Sequence, residues 1–106
     1  MKPPKFAYHA PVQLDQAVQL LARYAGNARV LSGGQSLIPM LNFRLLAPEA
    51  LVDLRRVPGL AAIRIERDTL CIGAMTRQRA AENSDLVSLH LPLMKEALGW
   101  VGHLPT

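Results

Sequence analysis

The stretch Val30-Leu31-Ser32-Gly33-Gly34-Gln35-Ser36-Leu37 decides how the rest of the chain is read. A short apolar run enters two adjacent glycines, passes through small polar residues and opens into a helical pattern. Without a Cβ, Gly33 and Gly34 permit a sharp turn and the close approach of another group. Ser36 is suited to a helix N-cap, and Pro39 falls in the first turn, where its missing N–H is not needed. A glycine turn aimed at a helix start presents N–H groups and the positive end of a helix dipole, an arrangement that binds anions, most often phosphate. The same residues also make a tight loop that binds nothing, and this stretch by itself leaves both readings open.

Outward from the turn, Arg29-Val30-Leu31 reads as a short strand. Ser36 to Asn42 reads as a brief helix with Leu37, Met40 and Leu41 turned inward, and Pro48 stops whatever helix remains. Leu51-Val52-Asp53-Leu54 is a second strand, so the glycine turn sits inside a small βαβ-like unit. Toward the N-terminus, Pro3 to His9 is an extended entry, an edge strand at best, with Phe6 and Tyr8 on one side. From Leu14 the apolar positions Leu14, Ala17, Val18, Leu21 and Tyr24 recur with helical spacing, and Gly26 is placed to end that helix in a left-handed cap. Asp15 in its first turn complements the dipole.

Pro58-Gly59 marks a turn and a boundary between segments 1–57 and 58–106. Beyond it, Ala62 to Glu66 alternates apolar with polar, and Thr69 to Gly73 returns after Arg67-Asp68, predicting a hairpin whose turn lacks the preferred glycine. Thr76 is placed to cap a short helix over Arg77 to Glu82, and Ser84 or Asp85 opens another. The last helix is expected from near His90, with Pro92 in its first turn, Leu93, Ala97, Trp100 and Val101 as its apolar face, and Gly102 ending it. Interleaved strands and helices without internal repeats give a mixed, α+β class.

Half of the 106 residues are apolar and 19% are charged, a globular composition with no disordered tract. A chain of this size buries roughly 65% of its unfolded surface, enough for one modest core. The net charge of +4 comes mostly from nine arginines scattered from Arg23 to Arg79. Without a basic stripe interleaved with aromatics, a nucleic-acid partner is not expected. Cys71 is the only cysteine, which excludes an internal disulfide and a cysteine metal cluster, and its apolar surroundings predict a buried, inert thiol. Met1 to Lys5 leads into no long apolar segment, so neither a signal peptide nor a membrane span is expected and a cytoplasmic protein is the default.

No catalytic set stands out. His9, His90 and His103 have no metal-ligand spacing, although His103 follows a helix-ending glycine where loops approach ligands. Ser36 lacks a nucleophile elbow, and Ser32 and Ser36 read better as hydrogen-bonding groups around the turn. Asp53 could serve a ribose or a metal, but a strand-end aspartate most often caps the next turn. The Gly33-Gly34 turn lacks the Lys-Ser/Thr of a Walker loop and is not Gly-x-Gly-x-x-Gly, so neither common nucleotide fingerprint is met.

The run from Arg29 to Arg44, Arg-Val-Leu-Ser-Gly-Gly-Gln-Ser-Leu-Ile-Pro-Met-Leu-Asn-Phe-Arg, resembles the first flavin-binding segment of the medium, FAD-binding subunits of molybdenum hydroxylases. That group includes the carbon monoxide dehydrogenase medium chain and the flavin domain of xanthine dehydrogenase. Leu51 to Leu60, Leu70 to Arg77, and Leu91-Pro92-Leu93 leading to Val101-Gly102-His103 agree in order and spacing. The resemblance implies a PCMH-type, vanillyl-alcohol oxidase-like FAD-binding domain, with segment 1–57 as its N-terminal subdomain and 58–106 as the start of the second. Carried over by position, Val30, Leu31, Ser32, Gly33, Gly34, Gln35, Ser36 and Leu37 would line FAD, with the N–H groups of Gly33 to Ser36 on its pyrophosphate. It further implies that the flavin takes electrons from an iron–sulfur subunit, in a complex with a molybdopterin subunit, and passes them to an acceptor. Family members carry a second glycine-rich loop, Thr-Ile-Gly-Gly, soon after the Gly-His pair, and these 106 residues stop before it. The expectation is therefore weak or no FAD affinity in isolation, and exposed apolar surface that favours self-association. A non-catalytic interaction module that keeps the fold but not the cofactor is the alternative.

Overall fold

Ala50–Asp53 (β3) is buried along its whole length, with Ala50 and Val52 fully shielded from solvent. A strand buried on every residue, and apolar up to its closing aspartate, suits the centre of a parallel sheet, where both faces are covered. In the computed structural model, which describes residues 2–102, β3 is flanked by Ala7–His9 (β1) and Ala28–Leu31 (β2), both parallel to it. The register pairs Tyr8 with Leu51, Arg29 with Leu51, and Leu31 with Asp53. All three strands therefore end toward the same side, and the glycine turn leaves β2 there. The parallel β2–β3 pair, joined through the helix Leu37–Asn42 (α2), is the βαβ unit expected from the sequence.

The chain divides into two compact units, Met1–Pro58 and Gly59–Thr106. In the first, the helix Leu14–Arg23 (α1) buries Ala17 and half-buries Leu20, Leu21 and Tyr24, which follow one another at i, i+3, i+4 and i+7. Leu14 and Val18, expected on the inner face, stand outside it and are half exposed. Two residues with positive φ, Ala25 (49°) and Gly26 (92°), then reverse the chain, as the left-handed cap requires. α2 ends in a Schellman arrangement: Leu45 N–H donates to Met40 C=O and Arg44 N–H to Leu41 C=O, with Arg44 in the left-handed region. Leu41 is buried and Leu37 half-buried, but Met40, expected inward at the same helical spacing, is exposed because nothing among the described residues covers that end of the stripe.

In the second unit, Ile63–Glu66 (β4) and Thr69–Ile72 (β5) form the expected antiparallel hairpin across Arg67-Asp68. Arg67 adopts φ 56°, the conformation for which such turns prefer glycine. The register pairs Arg64 with Cys71, so alternation puts Cys71 on the polar face with Arg64 and Glu66. It is only half-buried and its Sγ lies 3.8 Å from Glu66 Oε2, which corrects the buried thiol expected from its apolar neighbours. Gly73 follows β5 where its backbone presses on Leu60: an added Cβ would lie 2.1 Å from the Leu60 oxygen.

Three short helices follow, Gln78–Glu82 (α3), Asp85–His90 (α4) and Pro92–Leu98 (α5). Ser84, one of the two residues expected to open this helix, caps α4 by accepting a 3.3 Å bond from Val87 N–H. Thr76 does not cap α3, because Arg77 holds the N-cap position and makes no side-chain cap bond. α5 stops at Leu98, four residues before Gly102, and buries nothing fully: Leu93 is 76% and Trp100 88% exposed. The inward apolar face expected of Leu93, Ala97, Trp100 and Val101 is thus outward among the described residues. His103 lies outside them.

Candidate functional site

The turn after β2 is built by a change of backbone hand. Gly34 has φ 78°, a conformation that disfavours any residue with a Cβ, and its carbonyl accepts from Ile38 N–H at 3.0 Å to start α2. Beneath it, Leu31 Cδ1 and Ile38 Cγ1 would lie 3.4 Å and 2.9 Å from an added Cβ. Gly33 differs: its φ is outside the left-handed region and an added Cβ would meet nothing within 4 Å. One glycine is needed by the fold, while the other leaves an open space that the fold does not use.

Val30, Ser32, Gly33, Gln35 and Ser36 are exposed, and Leu31, Gly34 and Leu37 are half-buried. Among the described residues, the backbone N–H groups of Gly33, Gly34, Gln35 and Ser36 donate to no backbone carbonyl. Ser36 occupies the N-cap of α2 but makes no side-chain cap bond. α2 has six residues, so its dipole is small and the capacity for an anion rests on the N–H groups themselves. Backbone donors beside an open glycine fit a closely approaching anionic group such as a pyrophosphate.

Beside the turn lies a polar arrangement that sequence reading only half anticipated. Asp53, 5% exposed, is the buried charged side chain of the core. Its Oδ1 accepts from Arg55 N–H at 3.0 Å, the turn-capping role expected of it. Its Oδ2 accepts from the Tyr8 hydroxyl of β1 and lies 3.6 Å from Arg55 Nε. The bond to Asp53 raises the Tyr8 pKa above its ordinary 10.0, since losing the phenolic proton would leave two anions in contact. The signal that could have revealed it is a carboxylate inside an otherwise apolar strand, which must find donors when buried. A second polar pair joins His9 Nε2 and Tyr24 Oη at 2.9 Å, linking the end of β1 to the end of α1. Among the described residues no group of three or more His, Cys, Asp or Glu side chains is placed to hold a metal, and no helix is long and apolar enough to cross a membrane.

The family described as FAD binding domain in molybdopterin dehydrogenase matches residues 4–105. The chain belongs to this family. It is 46% identical over 103 residues to the 6-hydroxypseudooxynicotine dehydrogenase complex subunit alpha of Paenarthrobacter nicotinovorans, covering 97% of this chain and 35% of that protein. It is 45% identical over 97 residues to the carbon monoxide dehydrogenase medium chain of Hydrogenophaga pseudoflava, covering 92% and 34%. A solved structure of carbon monoxide dehydrogenase from Hydrogenophaga pseudoflava, lacking the Mo-pyranopterin moiety of its cofactor, superposes with a TM-score of 0.91 at 42% identity, over 98% of this chain and 36% of that one. The chain thus spans about a third of the length of the relatives it matches. The α+β fold and the molybdenum-hydroxylase resemblance expected from the glycine segment are those of this FAD-binding family.

Proposed function

We propose that this chain is the FAD-binding N-terminal portion of a medium subunit of a molybdopterin-dependent dehydrogenase. In this reading Val30 to Leu37 lines the cofactor, and the N–H groups of Gly33, Gly34, Gln35 and Ser36 hold its pyrophosphate. The observation that carries it is the open Gly33 beside backbone N–H groups that, among the described residues, reach no backbone carbonyl, in a chain of an FAD-binding family. No side chain acts as acid, base or nucleophile. The protein's part is to bind and orient, and small residues serve because backbone amides are the donors. Bound FAD would supply the electron relay, from an iron–sulfur subunit that works with a molybdopterin subunit to an external acceptor. Segment 1–57 is then the first FAD-binding subdomain and 58–106 the beginning of the second.

Flavin titration of the purified chain, followed by absorbance and fluorescence quenching, tests this reading. Weak but saturable FAD binding is expected, lost in Gly33→Val while the melting temperature is kept. Gly33 is the informative position because an added Cβ there meets nothing within 4 Å, whereas Gly34 is also required by the fold. No FAD binding, or equal binding by Gly33→Val, overturns the proposed site.

A second reading is favoured by the exposed Leu89, Leu93 and Trp100 of the second unit: a module that associates through apolar surface without flavin. Under it the chain self-associates in light scattering and FAD leaves both its size and its stability unchanged.

A further inference from the structure

Tyr8, Asp53 and Leu31 lie across three neighbouring strands at the end of the sheet from which the glycine turn departs. Tyr8 pairs with Leu51, so its side chain shares a face with Leu51 and with Asp53 two residues on. Asp53 in turn pairs with Leu31, which also receives the Leu54 N–H on its carbonyl at 3.1 Å. Paired strands are about 4.8 Å apart, so the Asp53 backbone is one strand spacing from the residue that precedes Ser32. Leu31 then packs beneath Gly34. A buried carboxylate therefore sits at the base of a turn whose N–H groups are available to an anion.

That placement is hazardous for an anion site. A carboxylate accepts strong hydrogen bonds from any exposed backbone N–H group within its reach, and a negative charge within about 8 Å acts on any phosphate bound there. Here both carboxylate oxygens are engaged elsewhere, Oδ1 by Arg55 N–H and Oδ2 by the Tyr8 hydroxyl. The Arg55 guanidinium is a poor substitute for the hydroxyl, being 67% exposed and 3.6 Å away. Among the described residues, Tyr8 thus supplies the side-chain donor that ties Asp53 to β1, on the side away from β2.

We propose that Tyr8 is a positioning residue for the glycine turn, its hydroxyl keeping the Asp53 carboxylate turned toward β1 and away from the N–H groups of Gly33 to Ser36. The role rests on the flavin reading given above and assigns to it two residues outside Val30 to Leu37. In Tyr8→Phe the carboxylate keeps only the Arg55 side of its partnership and competes with a pyrophosphate for the turn. In Tyr8→Phe/Asp53→Asn the competitor has lost its charge.

FAD titrations of the full chain, its Tyr8→Phe variant, its Asp53→Asn variant and the double variant, each at low and high salt, test the proposal. Tyr8→Phe is expected to weaken FAD binding about tenfold, with most of the loss kept at high salt because a buried charge is screened little. The double variant is expected to recover to within about threefold of the unsubstituted chain, a rescue that a purely structural defect would not give. Unchanged affinity in Tyr8→Phe, or a double variant as weak as the single one, overturns the role of Tyr8 while leaving the flavin site standing if Gly33→Val still abolishes binding. Failure of the unsubstituted chain to bind FAD overturns both. Should Tyr8→Phe not fold, Tyr8→Leu and Tyr8→Leu/Asp53→Asn take its place, judged by the same loss and the same rescue.

Discussion

The Tyr8 hydroxyl donates to the Asp53 carboxylate across 45 positions of sequence, joining the edge strand β1 to the central strand β3. Because the bond raises the Tyr8 pKa, its proton is held more tightly in the fold than in the unfolded chain, where the ordinary value is 10.0. The sign follows from linkage: the stabilisation is complete below about pH 10 and is lost as pH rises through the raised folded value. Thermal melts of the chain and of Tyr8→Phe, recorded from neutral pH to pH 12, are expected to differ most at neutral pH and to draw together above about pH 10. A gap that stays constant across this range would contradict the bond as the source.

The two glycines of the turn are expected to separate fold from binding. Gly34→Ala places a Cβ at φ 78° and presses on Ile38, which should destabilise the first unit by about 1–2 kcal/mol. Gly33→Ala finds open space and an ordinary φ, so its stability should equal or exceed that of the unsubstituted chain by up to about 1 kcal/mol. Urea unfolding of both variants reads the difference directly. Equal destabilisation would show that the turn's geometry is shared between the two positions.

At Gly73 the obstacle is backbone and cannot swing aside. The added methyl of Gly73→Ala would meet the Leu60 oxygen at 2.1 Å, in a segment where Met75 N–H also bonds Leu60 C=O at 2.7 Å. Relieving that contact must shift the chain, and overpacking of this kind costs about 1–3 kcal/mol. Faster amide exchange over Ile63–Ile72, with that of Ala50–Asp53 unchanged, is the expected signature.

Arg67→Gly should act in the opposite direction. Arg67 carries φ 56° at the first position of a two-residue hairpin turn, where glycine has no Cβ penalty. A gain of about 0.5–1 kcal/mol is expected in chemical denaturation, since the relief of left-handed strain exceeds the entropy that glycine loses. A loss of stability would mean that the Arg67 side chain contributes more than its backbone costs.

Local chemistry made much of this protein readable in order. The Gly33-Gly34 turn, the parallel strands around it, the hairpin and the Ser84 cap all follow from φ preferences, period-2 alternation and N–H satisfaction, each of which acts within a few residues. The resemblance carried by Arg29 to Arg44 likewise depended on residues contiguous in sequence, and membership of the FAD-binding family agrees with it. Burial was less legible, because which side of a short helix finds cover depends on what packs against it. Leu14, Val18 and Met40 have the spacing of core residues and stand exposed, and Cys71 follows the polar side of its hairpin rather than its apolar neighbours. Only the tertiary structure distinguished the two glycines, one needed for backbone hand and one leaving open space. Only strand register brought Tyr8 to Asp53 and set that pair beside Leu31. A bond between positions 8 and 53 leaves no local trace, since each residue satisfies its own turn and strand without naming the other.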